Sequence, residues 1–186
     1  MIENKIFERL DYKENYLDAE EYENCTFINC VFYNSDLSCI TFNGCEFDSC
    51  DFSMAKTKNT VFDNVKFLNC KLLGLHFDEC SDFVLSVDFE NCLLEFATFY
   101  RRKLKKTMFK NCKLREADFT EADLSNSIFD NCDLKRTVFS KTNLEKVDFY
   151  SSFNYSINPE NNRIKKAKFS RSGIMGLLDK YDIQID

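Results

Sequence analysis

The stretch FKNCKLREADFTEADLSNSIFDNCDL, Phe109 to Leu134, contains the tetrad Phe-x-Asn-Cys twice, twenty residues apart. Large apolar residues recur in it at every fifth position: Phe109, Leu114, Phe119, Leu124, Phe129 and Leu134. Two residues before them stand small ones, Cys112, Ala117, Ala122, Ser127 and Cys132. A period of five matches neither the 3.6 of a helix nor the 2.0 of a strand, so ordinary amphipathic helices and half-buried strands are both rejected.

The same register extends outward in both directions. It runs from Ile2 and Phe7 to Phe52, from Phe62 to Phe77, and from Phe89 to Phe149. Cysteines at the tetrad position fall at Cys30, Cys50, Cys70, Cys92, Cys112 and Cys132, in steps of 20, 20, 22, 20 and 20. The step of 22 marks a two-residue insertion, and the five-residue register confines it between Phe77 and Phe89. A bulge at Asp82–Ser86 is the expected form, with Val84 facing inward on the same side as Leu104.

The segment READFTEADLSNSIF resembles the A-[DN]-[LF]-x-x motif of the pentapeptide-repeat family, and the resemblance covers about residues 15–150. It implies an all-β fold, a right-handed quadrilateral β-helix with four pentapeptides per coil. The central Leu or Phe and the small residue two before it would point inward, and the other three outward. Twenty residues then make one coil. The six tetrad cysteines form one buried, reduced column of small apolar side chains. Beside them Asn29, Asn69, Asn91, Asn111 and Asn131 form an amide ladder with Ser49 as the exception.

The β-helix is expected over residues 1–170, with a looser final coil over 150–170 in which Asn154, Pro159, Ile164 and Phe169 keep the register. Residues 171–186 change period. Ile174, Leu177, Leu178 and Tyr181 fall on one face of an expected α-helix N-capped by Ser172. Tyr181, Ile183 and Ile185 alternate as in a short strand. These six residues are the expected seam of a homodimer, because an uncovered β-helix end exposes unpaired backbone.

Composition narrows the function classes. No run of 18 apolar residues spans a membrane, and no apolar leader precedes the repeats. The ten cysteines are therefore read as reduced, in a cytoplasm. The lone histidine, His76, faces outward, and neither a Gly-rich phosphate loop nor a nucleophile elbow occurs. An enzyme, a metal site and a cofactor are not expected, since a column of thiols is a line and not a convergent ligand set.

The net charge of −6 is unevenly spread: residues 1–99 carry −12 and residues 100–186 carry +6. The basic run from Arg101 to Arg115 lacks interleaved aromatics beyond Tyr100, so a partner-facing patch is favoured over direct nucleic-acid binding. Arg102 falls in an inward small-residue slot that it does not fit. The expected partner surface comprises Leu68, Leu73, Leu93, Phe96, Arg101, Arg102 and Lys103, outward or misfit positions on neighbouring sides. The chain's length and its C-terminal helical segment resemble those of the gyrase-interacting members of the family, the Qnr and MfpA type. That resemblance implies a rod that mimics duplex DNA toward type II topoisomerase, DNA gyrase or topoisomerase IV. A stack at roughly 4.8 Å per coil gives a rod of about 40 Å, or about 80 Å as a tail-to-tail dimer. The alternative is an assembly rod with an unrelated protein partner.

Overall fold

The computed structural model describes residues 1–13 and 17–184. They form a parallel β-solenoid with four sides, named here after Phe109, Leu114, Phe119 and Leu124, the residues central to them in one coil. Short strands pair in parallel with residues twenty positions on, such as Thr26–Ile28 with Glu46–Asp48, and Met108–Lys110 with Ile128–Asp130.

Backbone satisfaction explains why a five-residue unit is stable. The N–H of a central residue donates forward, as Leu94 does to the Lys113 carbonyl at 2.7 Å. The N–H before it donates backward, as Lys113 does to the Cys92 carbonyl at 3.0 Å. Corners are made by left-handed residues two after the centre, among them Asn69 (φ 55°), Asn91 (φ 55°), Asn111 (φ 53°) and Asn131 (φ 52°). Asparagine tolerates that region better than most side chains, so the chain turns without depending on Gly or Pro. Corner N–H groups are themselves used along the stack, as Asn111 donates to the Asp130 carbonyl at 2.8 Å.

Aromatic rings fill the tube. On the Phe109 side, Phe7, Phe27, Phe47, Phe67, Phe89, Phe109, Phe129, Phe149 and Phe169 stack along the axis. Between sides they meet edge to face: Phe109 and Phe119 lie 5.8 Å apart at 88°. Both arrangements suit the ring quadrupole. Packing changes along the rod. Towards the N-terminus the Leu114 and Leu124 sides hold Phe32, Phe52, Phe42 and Phe62, whereas later they hold Leu94, Leu114, Leu104 and Leu124. The Phe119 side runs the other way, from Leu37 and Thr57 to Phe77, Phe99 and Phe119. At the changeover Thr57 occupies a large-residue position, and Leu75, in a small-residue slot one coil on, is fully buried.

Where a small slot holds Cys, Ser or Thr, the side chain does more than fill space. Such side chains donate to carbonyls about one coil back: Cys50 Sγ lies 3.3 Å from the Phe27 oxygen, Cys70 Sγ 3.3 Å from Phe47, and Cys92 Sγ 3.2 Å from Phe67. Hydroxyls do the same, Thr60 to Leu37 at 2.8 Å and Ser127 to Leu104 at 2.6 Å. The thiols are therefore weak donors as well as small apolar bodies.

The C-terminal end departs from expectation. Asn154 is exposed with φ 61°, while Tyr155 and Ile157 turn into the core in its stead. Residues Ser172–Leu177 and Asp179–Tyr181 form 3₁₀ turns, not an α-helix. Ser172 is the first residue of its turn, and Arg171 holds the cap position without a side-chain capping bond. The reason is close approach: a Cβ on Gly173 or Gly176 would strike Tyr155, so the segment winds tightly over that ring. Ile157 N–H donates to the Gly176 carbonyl at 2.8 Å, and Leu177 packs against the core. Residues 182–184 form no strand, and Ile185 lies outside the described residues.

Candidate functional site

The irregularity lies on the Leu124 side. One residue separates Thr60 from Phe62, but four, Ser81 to Val84, separate Cys80 from Leu85, its register partner. Two residues separate Phe62 from Val65, but only Ser86 separates Leu85 from Val87. Three extra residues and one missing residue account for the net insertion of two. Leu85, not Val84, thus takes the place over Phe62 and packs against the core. Phe83, at the tip of the bulge, is 96% exposed.

Arg102 lies in the inward slot that the register assigns to it, so of the expected partner surface it is the member least open to a partner. Its side chain is 12% exposed and lies beneath the bulge. One guanidinium nitrogen is 2.6 Å from Asp82 Oδ1 and 3.5 Å from the Ser81 carbonyl, and the other donates to the Asp78 carbonyl. The slot that holds Thr60, Ala122 or Thr142 in other coils is filled here by a cation, and the insertion supplies two of its three partners, Ser81 and Asp82. The misfit arginine and the extra residues are one feature.

The remaining basic run is largely neutralised by the coil repeat. Arg101 pairs with Glu121 at 2.7 Å, Lys105 with Asp123 at 3.3 Å, Lys110 with Glu90 at 2.8 Å and Arg115 with Asp133 at 2.6 Å. Apart from Arg115–Asp133, whose carboxylate is buried, these pairs are of the exposed kind that contributes little stability, yet all of them remove free cations from the surface. Lys103, Lys106 and Lys113 carry no ion pair among the described residues. In the N-terminal half Glu21, Glu23, Glu46 and Asp63 likewise have none.

Of the expected apolar surface, Phe96 is 62% exposed, while Leu68, Leu73 and Leu93 are half-buried. Met54, not anticipated as part of it, is 58% exposed, with its sulfur against Gly74 at the same corner. Met54, Leu73 and Phe96 make an apolar strip between the Leu114 and Phe119 sides. Its missing member could have been found by writing the left-handed corner positions as a column. The asparagine ladder occupies another corner. Asn131 donates to Asn111, Asn111 to Asn91, Asn91 to Asn69 and Asn69 to Asp48, at 2.8–3.1 Å.

All ten cysteines are free; nine are buried and Cys39 is exposed. Burial pushes the Cys45 thiol up to about 11 and the Cys80 thiol up to about 12, and raises Cys70 and Cys112 as well. Nine of the thiols are shut off from solvent, so reagents are opposed in the interior. Titration of the native protein with a thiol reagent is expected to show one fast group, lost in Cys39→Ser. Several fast groups would reject the inward placement of the column.

In the C-terminal segment Ile174 (51%), Tyr181 (48%) and Ile183 (53%) are exposed, whereas Leu177 and Leu178 are half-buried. Lys180 and Tyr181 bind Glu160, Tyr181 Oη at 2.8 Å, and these bonds hold that carboxyl below its ordinary range. Among the described residues no helix is long and apolar enough to cross a membrane, and no group of three or more His, Cys, Asp or Glu could hold a metal ion.

Comparison with known proteins supplies the wider context. Two trypsin-treated variants of QnrB1, a plasmid-mediated fluoroquinolone resistance protein, superpose with TM-scores of 0.65 and 0.66 at 21% identity. The matches cover 99% and 100% of this chain and 99% of each of those. HetL of the cyanobacterium Nostoc, a pentapeptide repeat protein involved in heterocyst differentiation regulation, gives 0.34 at 13% identity, over 87% of this chain and 88% of its own. No curated protein matches. The family model described as "Pentapeptide repeat region" matches residues 84–177, and that of eight pentapeptide repeat copies matches residues 25–56. With its five-residue period, four-sided tube and these matches, the chain belongs to the pentapeptide-repeat family.

Proposed function

We propose that the protein is a non-catalytic binding rod that engages type II topoisomerase, DNA gyrase first, through its acidic N-terminal half. The observation that carries the reading is the end-to-end correspondence with QnrB1, whose description is that of a fluoroquinolone resistance protein. The charge distribution refines it. Unpaired carboxylates at Glu21, Glu23, Glu46 and Asp63 lie on neighbouring coils, an array suited to a surface that binds phosphates. In a tail-to-tail dimer these arrays occupy the two ends of the rod, so the contact is assigned to the ends and not to the centre. Supercoiling by purified gyrase, with and without a fluoroquinolone, tests this directly. The rod should inhibit supercoiling or relieve the drug, and Glu21→Lys with Glu46→Lys should abolish the effect. A rod without influence on either reaction would remove the topoisomerase reading.

The same proposal includes a homodimer through the C-terminal segment, in a cytoplasmic setting. Because Leu177 packs on its own core, the exposed Ile174 and Met175 are the better probes. Sizing with light scattering should give a dimer at about tens of micromolar, the range of a weak association, and a monomer for Ile174→Glu with Met175→Glu. A monomeric wild type would exclude the seam. A second reading is favoured by the apolar strip of Met54, Leu73 and Phe96, which suits an unrelated protein partner.

A further inference from the structure

The missing corner residue on the fourth side leaves a notch. At this corner neighbouring coils present a left-handed residue, Asn64 (φ 51°) before and Lys106 (φ 64°) after. Between them the strand Leu85–Glu90 runs straight and cuts the corner. The result is an open cavity of about 360 Å³. Its floor is formed by Val65, Leu85, Val87 and Thr107, and its walls include Asn64, Ser86, Asp88, Lys103, Lys105 and Lys106.

The backbone is disturbed at the same place. On this column an N–H ordinarily donates to a carbonyl one coil back, as Ile128 does to Thr107 at 3.0 Å and Lys66 to Cys45 at 3.0 Å. Met108 N–H instead donates to Asp88 Oδ1 at 2.8 Å. The one carboxylate in the wall is thereby engaged with the backbone. Lys105 is engaged with Asp123. Lys103 and Lys106 remain, and they are two of the three cations in the basic run without an ion pair among the described residues. A rod that pairs its charges coil by coil has left two free ammonium groups where its surface is hollow.

We infer that this notch is an oxyanion site, in which Lys103 and Lys106 hold a carboxylate or phosphoryl group and the Ser86 hydroxyl and Asn64 amide donate hydrogen bonds to it. Two ammonium groups with neutral donors suit an anion small enough to enter the hollow. The source of the anion, a free phosphoryl compound or an acidic side chain of a protein partner, is separated by the probes.

Calorimetric titration with inorganic phosphate and with a hexaglutamate peptide tests the site on the full chain. Saturable binding of at least one probe is expected at millimolar concentration or below, on the order of 1 mM. Binding of phosphate assigns a free anion, and binding of the peptide alone assigns a partner's carboxylate. Lys103→Gln with Lys106→Gln should weaken the bound probe at least about tenfold. Lys113→Gln, which removes the third unpaired lysine away from the notch, should change it less than about twofold. A variant in which the corner is restored while every lysine is kept, Arg102→Ala with Asp82 and Phe83 deleted, should lose binding and keep its cooperative melt. Absence of saturable binding to both probes overturns the site. So does equal weakening by Lys113→Gln, which would mean diffuse attraction, or undiminished binding by the corner-restored rod.

Discussion

Phe109→Ala is expected to cost about 3–5 kcal/mol of unfolding free energy, the range for deleting a fully buried phenyl ring. Phe109 is 0% exposed and touches four rings. Phe89 and Phe129 stack on it at 5.1 and 4.6 Å, while Phe99 and Phe119 meet it edge-on at 6.1 and 5.8 Å. A square tube has little means of collapsing around the loss, because its walls are held by coil-to-coil hydrogen bonds, so the cavity stays open. In a repeat stack each unit depends on its neighbours, and a mid-rod defect weakens two interfaces. Phe7, half-buried in the first coil, has ring neighbours in Tyr22 and Phe27. Its replacement by Ala should cost roughly half as much on the same area argument. Urea denaturation of the two variants, with the slope held in common, decides the matter. A loss at Phe109 no larger than at Phe7 would show that the ring column does not carry the stability of the rod.

That ring column was legible in the sequence because one side chain in five must fill a tube of constant width. The twenty-residue step was legible for the same reason, since a longer coil keeps the rings aligned only by looping its extra residues out, as between Phe67 and Phe89. What the sequence left unread involves positions where two requirements meet. Cys50, Cys70 and Cys92 look like small apolar bodies, but their thiols also donate to a carbonyl one coil back, as the hydroxyls of Thr60, Ser127 and Thr142 do in other slots. Tyr155 sits one position off the register, and no periodic count selects it over Asn154. The pairing of the basic run is invisible to a linear reading, because Arg101 and Glu121 are neighbours only after a full coil. The C-terminal turns read as an amphipathic helix because Ile174, Leu177 and Tyr181 have helical spacing. Gly173 and Gly176, set three apart, recorded the closer approach to Tyr155 that tightens them.

Arg102 and the bulge give the other large expected effect, because each makes sense only with its counterpart. Deleting Asp82 and Phe83 alone restores the coil length but removes the carboxylate and moves the carbonyls that hold a guanidinium only 12% exposed. Its Nε already lacks a hydrogen-bond partner among the described residues. A buried charge stripped of its partner costs about 3–5 kcal/mol, so the shortened rod should be strongly destabilised or fail to fold. Arg102→Ala alone should cost less, since the freed carbonyls of Asp78 and Ser81 border an exposed loop and can turn to water, a loss of about 1–3 kcal/mol. The two changes together recreate an ordinary coil: Ala stands in the slot as Ala122 does one coil on, Val84 moves into the core position, and Ser86 becomes the corner. The double variant should therefore melt above the shortened rod with Arg102 retained. The interaction in a double-mutant cycle should be at least about 2 kcal/mol, within the range for groups in direct contact. Additive losses would mean that the arginine and the insertion arose independently and meet by accident. If the shortened rod with Arg102 intact were as stable as the wild type, the guanidinium would have an outlet to solvent, and the bulge would not be held from below.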